Sequence, residues 1–337
     1  MDRYYTYKRY LLQRYGHPVY RVGVDAGFTC PHRDDSRRGG CIYCDSFGAA
    51  AAYQRGSNGN PEDIPLSMRS LEQRLEAVSR QIDTGIAFLR QRYNPGGFAL
   101  YLQAFSNTFA PLEELEQIYS HALGRYPFTE FILSTRPDCI DEATADLLMQ
   151  YRSQVSDLWV ELGLQSASSS TLEFIRRGHT AAAVTNACNL LRSRGIKISL
   201  HTILGLPGEG ADHRRETAEF ITREHPEALK IHNLHIPIET ELQAMYVSGE
   251  AVTASAERHV EQTAQLLSAV PGDIVIQRIV CDTPTHRLSA PKGFAPKGQV
   301  IQMLSKYLQE HDLWQGKSLG YTRENGRGKN QAYEYLR

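Results

Sequence analysis

Apolar residues along this chain recur at two alternating periods. Leu71, Leu75, Val78, Ile82, Ile86 and Leu89 fall at three- and four-residue steps, which predicts one long amphipathic helix stopped by Asn94-Pro95-Gly96-Gly97. Val19–Val24, before it, is a short β-branched run. Beyond it, strands are expected over 98–104, 129–135, 157–164, 196–204, 228–236 and 273–281. Helices are expected between them near 111–124, 141–153, 181–194, 212–225 and 255–270; Leu112, Leu115, Ile118 and Ala122 show the step in the first. Such alternation with short connections implies parallel strands joined by right-handed crossovers. With Val19–Val24 the count is about seven strands, enough for a partial or nearly closed (β/α) barrel; a doubly wound open sheet fits the same pattern.

The two ends differ from this core. Residues 1–21 interleave Tyr4, Tyr5, Tyr7, Tyr10, Tyr15 and Tyr20 with Arg3, Lys8, Arg9, Arg14 and Arg21. Such a segment can stack on bases and contact phosphates, or lie on the barrel with its polar tips in water. Residues 282–337 carry Pro284, Pro291 and Pro296, many glycines and a helix near Gln299–Gln309, as expected of a tail or small subdomain over the barrel mouth or against a partner. The expected division is therefore an extension at 1–21, a core at 22–281 and a C-terminal segment at 282–337. Residues 46–65, rich in Gly, Ala, Asn and Pro, read as loop.

Composition narrows the class only a little. The 337 residues hold 37 Lys and Arg against 38 Asp and Glu, a net charge of −1, so no global basic field demands nucleic acid. MDRYYTYKRY at the N-terminus has no apolar leader, and no apolar run approaches membrane-spanning length. A cytoplasmic protein without membrane association is expected.

The chemistry gathers in CPHRDDSRRGGCIYC, where Cys30, Cys41 and Cys44 are three of six cysteines. Thiols this close usually share an inorganic centre, and Gly39-Gly40 lets the backbone fold back toward it. A closed zinc site with His32 as fourth ligand satisfies the same spacing. A disulfide would leave one thiol over and needs an oxidising compartment. Three thiolates on a four-iron cluster leave one iron open to a substrate or cofactor. Cys188 lies on the apolar stripe Val184, Cys188, Leu191 and reads as core; Cys139 and Cys281 are scattered.

Polar groups then recur where the strands are expected to end, the place ligands gather in parallel α/β folds. Gln103, Ser106 and Asn107 follow the second strand; Arg136 and Asp138 follow the third. Glu161 and Gln165 lie on and after the fourth, His201 is on the fifth, and His232 and His235 are on the sixth. In IHNLHI, alternation sends His232 and His235 to opposite faces, with His235 beside Asn233 as the inward candidate and Lys230, His232 and Leu234 toward the helices.

The cysteine loop resembles that of the radical S-adenosylmethionine (SAM) enzymes, with its first interval stretched and the aromatic Tyr43 before the last cysteine. FTCPHR, LQAFSNTFAP, STRPDC, WVELGLQS, ILGLPGE and IHNLHI together resemble the bacterial YhcC-like (YtqA-like) branch, related to the elongator-type enzymes. The resemblance runs from about residue 5 to residue 310. It implies a parallel (β/α) barrel and a [4Fe–4S] cluster on Cys30, Cys41 and Cys44. It also implies reductive cleavage of SAM to a 5′-deoxyadenosyl radical. SAM contacts are implied for Tyr43, Gln103, Asn107, Arg136, Glu161, Gln165, Arg177 and His201, and a substrate or proton-moving role for His235 or His232. Gln165 and Arg177 match SAM-contacting residues of oxygen-independent coproporphyrinogen oxidase in spacing; His201 replaces an Asp there, and Ser134 replaces a Glu of the elongator-type motif. The implied partners are a tRNA whose wobble uridine is modified and an external one-electron donor of flavodoxin or ferredoxin type. A small metabolite as substrate, or a non-catalytic zinc- or cluster-binding RNA module, are the alternatives.

Overall fold

The computed structural model describes residues 3–33, 39–45 and 66–323. The loop expected at 46–65, part of the cysteine loop and the last residues of the C-terminal segment lie outside them.

The helix read from its period is α2, Leu71–Arg92; α1 precedes it at Tyr7–Tyr15. Ser70 caps α2 reciprocally: its hydroxyl accepts from the Gln73 amide at 3.3 Å, while the Gln73 side chain accepts from the Ser70 amide at 3.1 Å. Val78, Ile82, Ile86 and Leu89 are buried on the face toward β1, Val19–Val24. The further strands of the main sheet are β2 Gly97–Leu102, β3 Glu130–Thr135, β4 Asp157–Gln165, β5 Lys197–Leu204, β6 Ala228–Asn233 and, after the short β7 Ile236–Pro237, β8 Val275–Arg278. All seven main strands pair in parallel in the order β1-β2-β3-β4-β5-β6-β8. Spatial order follows chain order with no reversal, which decides against the doubly wound alternative. The sheet curls into a half-barrel.

Between the strands run α3 Leu112–Gly124, α4 Glu142–Met149, α5 Ser169–Phe174, α6 Ala181–Arg192, α7 Ala211–Glu224, α8 Glu241–Ser248 and α9 Ala256–Ser268. α5 and α8 were not expected. They pack a small apolar cluster (Ile42, Leu172, Ile175, Leu206, Leu242) beside the mouth of the half-barrel. The main core lies between helices and sheet, and Cys188 is part of it. Among the described residues no helix is long and apolar enough to cross a membrane.

Three of the N-terminal tyrosines turn their hydroxyls to buried carboxylates. Tyr7 and Tyr15 donate to the Glu130 carboxylate at 2.6 and 2.9 Å, and Tyr10 donates to Asp157 at 3.1 Å. Arg14 forks onto Asp157 at 3.0 and 3.1 Å. Glu130 and Asp157 begin β3 and β4 and are fully buried, so each needs donors, and α1 supplies them. The segment plugs the end of the half-barrel where the strands start. Of the two uses expected of the segment, packing on the barrel is the one these bonds display. Just before α1, the Ile276 amide donates to the Tyr5 carbonyl at 2.7 Å, extending the edge of β8.

At the other terminus, β9 Leu288–Ala290 pairs antiparallel with β7, and α10 Lys297–Glu310 packs on α9. Arg287 reaches the cysteine loop and pairs with Asp45, Nε to Oδ2 2.9 Å, both largely buried.

Candidate active site at the carboxyl ends of the strands

One cavity of about 600 Å³ opens at the carboxyl ends of the strands and is lined by Cys30, Cys41 and Cys44 together. Cys30 follows β1. Gly39 and Gly40, at φ of 83° and 85°, turn the chain back, and a Cβ on Gly39 would stand 3.1 Å from the His32 carbonyl. Arg33 holds the far limb by donating to the Cys44 and Asp45 carbonyls at 2.7 Å each. The Ile42 amide donates to Ile175 at 3.2 Å, and the Leu242 amide donates to Ile42 at 3.0 Å, tying the loop to α5 and α8.

The three thiols are free. His32 faces Asp138 at 3.3 Å, and among the described residues no three His, Cys, Asp or Glu side chains are placed to hold one metal ion. Three cysteine thiols lining one cavity fit a multi-iron cluster, which takes thiolate ligands.

Beside the thiols the cavity is lined by Tyr43, Gln103, Arg136, Gln165 and Arg177. Arg177 donates to the Gly163 carbonyl at 2.8 Å, and its Nη1 lies 3.6 Å from Cys41 Sγ. Arg136 is clamped on Asp138 at 2.9 Å by Nε and Nη2, which leaves Nη1 buried without a partner. Ala104 and Phe105 take positive φ of 79° and 54° in the turn after β2, and Gln165 takes 71° at a bulge in β4. Such strain usually marks a site. Asn107, expected at the cofactor, is placed elsewhere: it is fully buried, and its amide donates to the Ala104 and Ser134 carbonyls at 3.1 and 2.8 Å. It splices two strand-end loops.

Deeper in the half-barrel, Glu161 and Lys230 form an ion pair with both side chains wholly buried. Arg21 lies 3.3 Å from Glu161, His201 bonds it at 3.0 Å, and Lys230 also donates to Tyr101 at 3.1 Å. Burial opposes the charge on Glu161, yet Lys230 and Arg21 hold its carboxyl well below the usual range. Burial pushes the His201 imidazole down to about 4, against its bond to Glu161, so it is neutral near pH 7.

The sixth strand departs from its expected facing. Lys230 points inward to Glu161, and His232 lines the cavity with its ring 5.2 Å from that of His201. The physical reason is charge: the opposite face of β6, with Leu229 and Ile231, lies in the apolar core, while β4 offers Glu161 inside. β6 ends at Asn233, and Leu234 makes the last bond, to Leu204 at 3.0 Å. Beyond the ladder alternation lapses, so His235 lines the cavity as well. Asn233 Oδ1 accepts from the Cys281 amide at 3.0 Å, which aims Asn233 Nδ2 at His235 Nε2, 2.6 Å away. His235 Nδ1 then meets the Thr283 hydroxyl at 2.6 Å. Both nitrogens of His235 are engaged, whereas His232 Nε2 is buried without a partner.

The sequence profile described as the Radical SAM superfamily matches residues 28–221, and that of the Radical_SAM C-terminal domain matches residues 226–310. The chain belongs to the radical SAM superfamily. YtqA of Bacillus subtilis is 29% identical over 94% of this chain and 92% of its own. YhcC of Escherichia coli K12 is 30% identical over 92% and 93%. This places the radical SAM chain in the YhcC-like branch, related to the elongator-type enzymes. A tRNA uridine(34) acetyltransferase of Methanocaldococcus jannaschii is 27% identical over 60% of this chain and 36% of its own. Among solved structures, an N-terminally deleted Elp3 of Methanocaldococcus infernus superposes with a TM-score of 0.63 at 20% identity, covering 71% of this chain and 60% of that one. That likeness carries the radical SAM fold.

Arg21, Tyr101, Arg278 and Lys297 belong to this radical SAM cavity and were not read from sequence as site residues, and Lys230, expected toward the helices, lies on its floor. A signal existed for one: Arg21 interrupts the apolar run Val19–Val24, where a charge is costly unless paired inside.

Proposed function

We propose that this enzyme modifies the uridine side chain at the wobble position of tRNA. The observation that carries the reading is the similarity to tRNA uridine(34) acetyltransferases over 205 residues, 60% of this chain. Cys30, Cys41 and Cys44 would hold a [4Fe–4S] cluster, fed by an external one-electron carrier of flavodoxin or ferredoxin type. Cluster and SAM together would supply radical chemistry able to take a hydrogen atom from the substrate. The chain's own residues do the rest. Arg177 and Gln165 stand beside the thiols to orient a charged cofactor, and the unpartnered Nη1 of Arg136 offers a further donor to an anion. The tyrosine plug shuts the far end against water. Of the two histidines, His232 has the nitrogen left to contact substrate, while His235 holds Asn233 and Thr283 in place.

The test compares tRNA nucleosides from anaerobically grown cells with and without the protein. Loss of one uridine-34 derivative is expected; identical nucleoside profiles overturn the reading. A second reading, a small metabolite as substrate, is favoured by the cavity's volume, which lies in the range of small-molecule sites. Under it the tRNA is unchanged and a metabolite accumulates in the deleted cells.

A further inference from the structure

The wall formed by β6, β8 and the C-terminal segment carries positive charge that the described residues leave unanswered. Arg278 ends β8, Lys297 opens α10, and both line the cavity. Neither side chain makes a hydrogen bond or ion pair with any described residue. Asp282 opposes the charge of Lys297, which leaves Arg278, Lys297 and Asp282 with a net charge of about +1 by simple count. Arg21 adds to the crowding, since its ion pair with Glu161 leaves Nε and Nη2 buried without hydrogen-bond partners. His232, whose Nε2 is likewise buried and unpartnered, lines the same cavity and follows by two positions on β6 the Lys230 that Arg278 faces in the ladder. Lys297 is open to water on one side, yet burial first and Arg278 next push its ammonium down from the usual amine value.

Cations gathered at the mouth of a cavity repel one another and lose hydration. A fold that keeps them there gains if an anion arrives. The cysteine side of the cavity has its own cations in Arg177 and Arg136, so an anion at Arg278 would be a second one, separate from any group held beside the thiols. A guanidinium fork, a mobile ammonium and an imidazole donor together suit a tetrahedral oxyanion. We propose that Arg278 and Lys297, with His232 Nε2 beside them, form a subsite for a phosphate group carried by the substrate. The subsite rests on this cavity being the active site and names the substrate as phosphate-bearing. It holds whether that phosphate belongs to an RNA backbone or to a free nucleotide.

The experiment is isothermal titration of the full-length protein with uridine, 5′-UMP, inorganic phosphate and an anticodon stem-loop RNA, at two salt concentrations. UMP is expected to bind at least about tenfold tighter than uridine, as for one charge-assisted contact. Arg278→Gln and Lys297→Gln are each expected to weaken UMP about tenfold while uridine and SAM affinities stay unchanged. Should a variant unfold, the UMP-to-uridine ratio of the unaltered protein still decides. Equal affinity for the two, no binding of either included, overturns the subsite. So does UMP affinity that survives the double substitution in a folded protein. Stem-loop binding whose salt dependence falls in the double variant assigns the phosphate to RNA. UMP and phosphate binding without stem-loop binding keeps the subsite and removes the tRNA reading.

Discussion

Lys230 carries an ammonium into the middle of the half-barrel, and Glu161 on the neighbouring wall makes that tolerable. Removing one member of such a pair strands the other's charge. Lys230→Met is expected to cost about 3 kcal/mol, while Lys230→Met with Glu161→Gln should recover most of it, measured by urea unfolding. The depressed Glu161 carboxyl contributes stability that is full above the ordinary carboxylate range and is lost as pH falls through its lower folded value. The cysteines give a sharper expectation. Cys30→Ala, Cys41→Ala or Cys44→Ala should each abolish iron loading under anaerobic reconstitution, whereas Cys188→Ala, deep in α6, should load normally; iron retained in all three loop variants would remove the cluster from the loop. The loop was legible because its spacing is local. The facing of His232 was not: alternation fixes which residues share a face, and the choice between faces needed the position of Glu161 on another strand.

At the scale of elements, α1 is the part that sequence described least well. Its docked face sets half-buried Tyr7, Tyr10 and Tyr15 around a buried Leu11, and a tyrosine's ring and hydroxyl suit a nucleic acid and a buried carboxylate equally, so composition alone left both open. The deciding groups, Glu130 and Asp157, lie more than a hundred residues away. Burial raises the Asp157 carboxyl, but bonds from Arg14, Lys197 and Tyr15 outweigh it and bring it down to about 2. Its folded value is depressed, so its contribution is present above about pH 4 and is lost as pH falls toward 2. After discounting for solvent screening this amounts to about 1–2 kcal/mol. Asp157→Asn should flatten that acid limb of a stability-against-pH curve and lower the plateau; an unchanged limb would show that α1 docks by its apolar contacts alone. The long helices and central strands, by contrast, were readable because parallel strands covered on both faces are almost continuously apolar.

Across the whole molecule, alternation announced parallel strands, but the choice between a half-barrel and a doubly wound sheet rests on strand order, which no local pattern carries. The same holds for the pairing of Arg287 with Asp45, which lie 242 positions apart. Arg287→Ala should leave the thiols in place yet free the loop that bears them, so a reconstituted cluster should bleach faster in air at unchanged initial iron content. An unaltered bleaching rate would mean that α5 and α8 suffice to hold the loop. This pairing also sets a timetable. A ribosome adding 5–20 residues per second reaches Arg287 roughly 12–50 s after Asp45. Throughout that interval the nascent chain exposes its three thiols on an unlatched loop, and β8, which completes the sheet, is made only shortly before the latch. Iron delivered during synthesis would meet an open hand, and iron delivered afterwards a closed one. Chains halted before residue 287 should therefore take up iron readily and give it back just as readily.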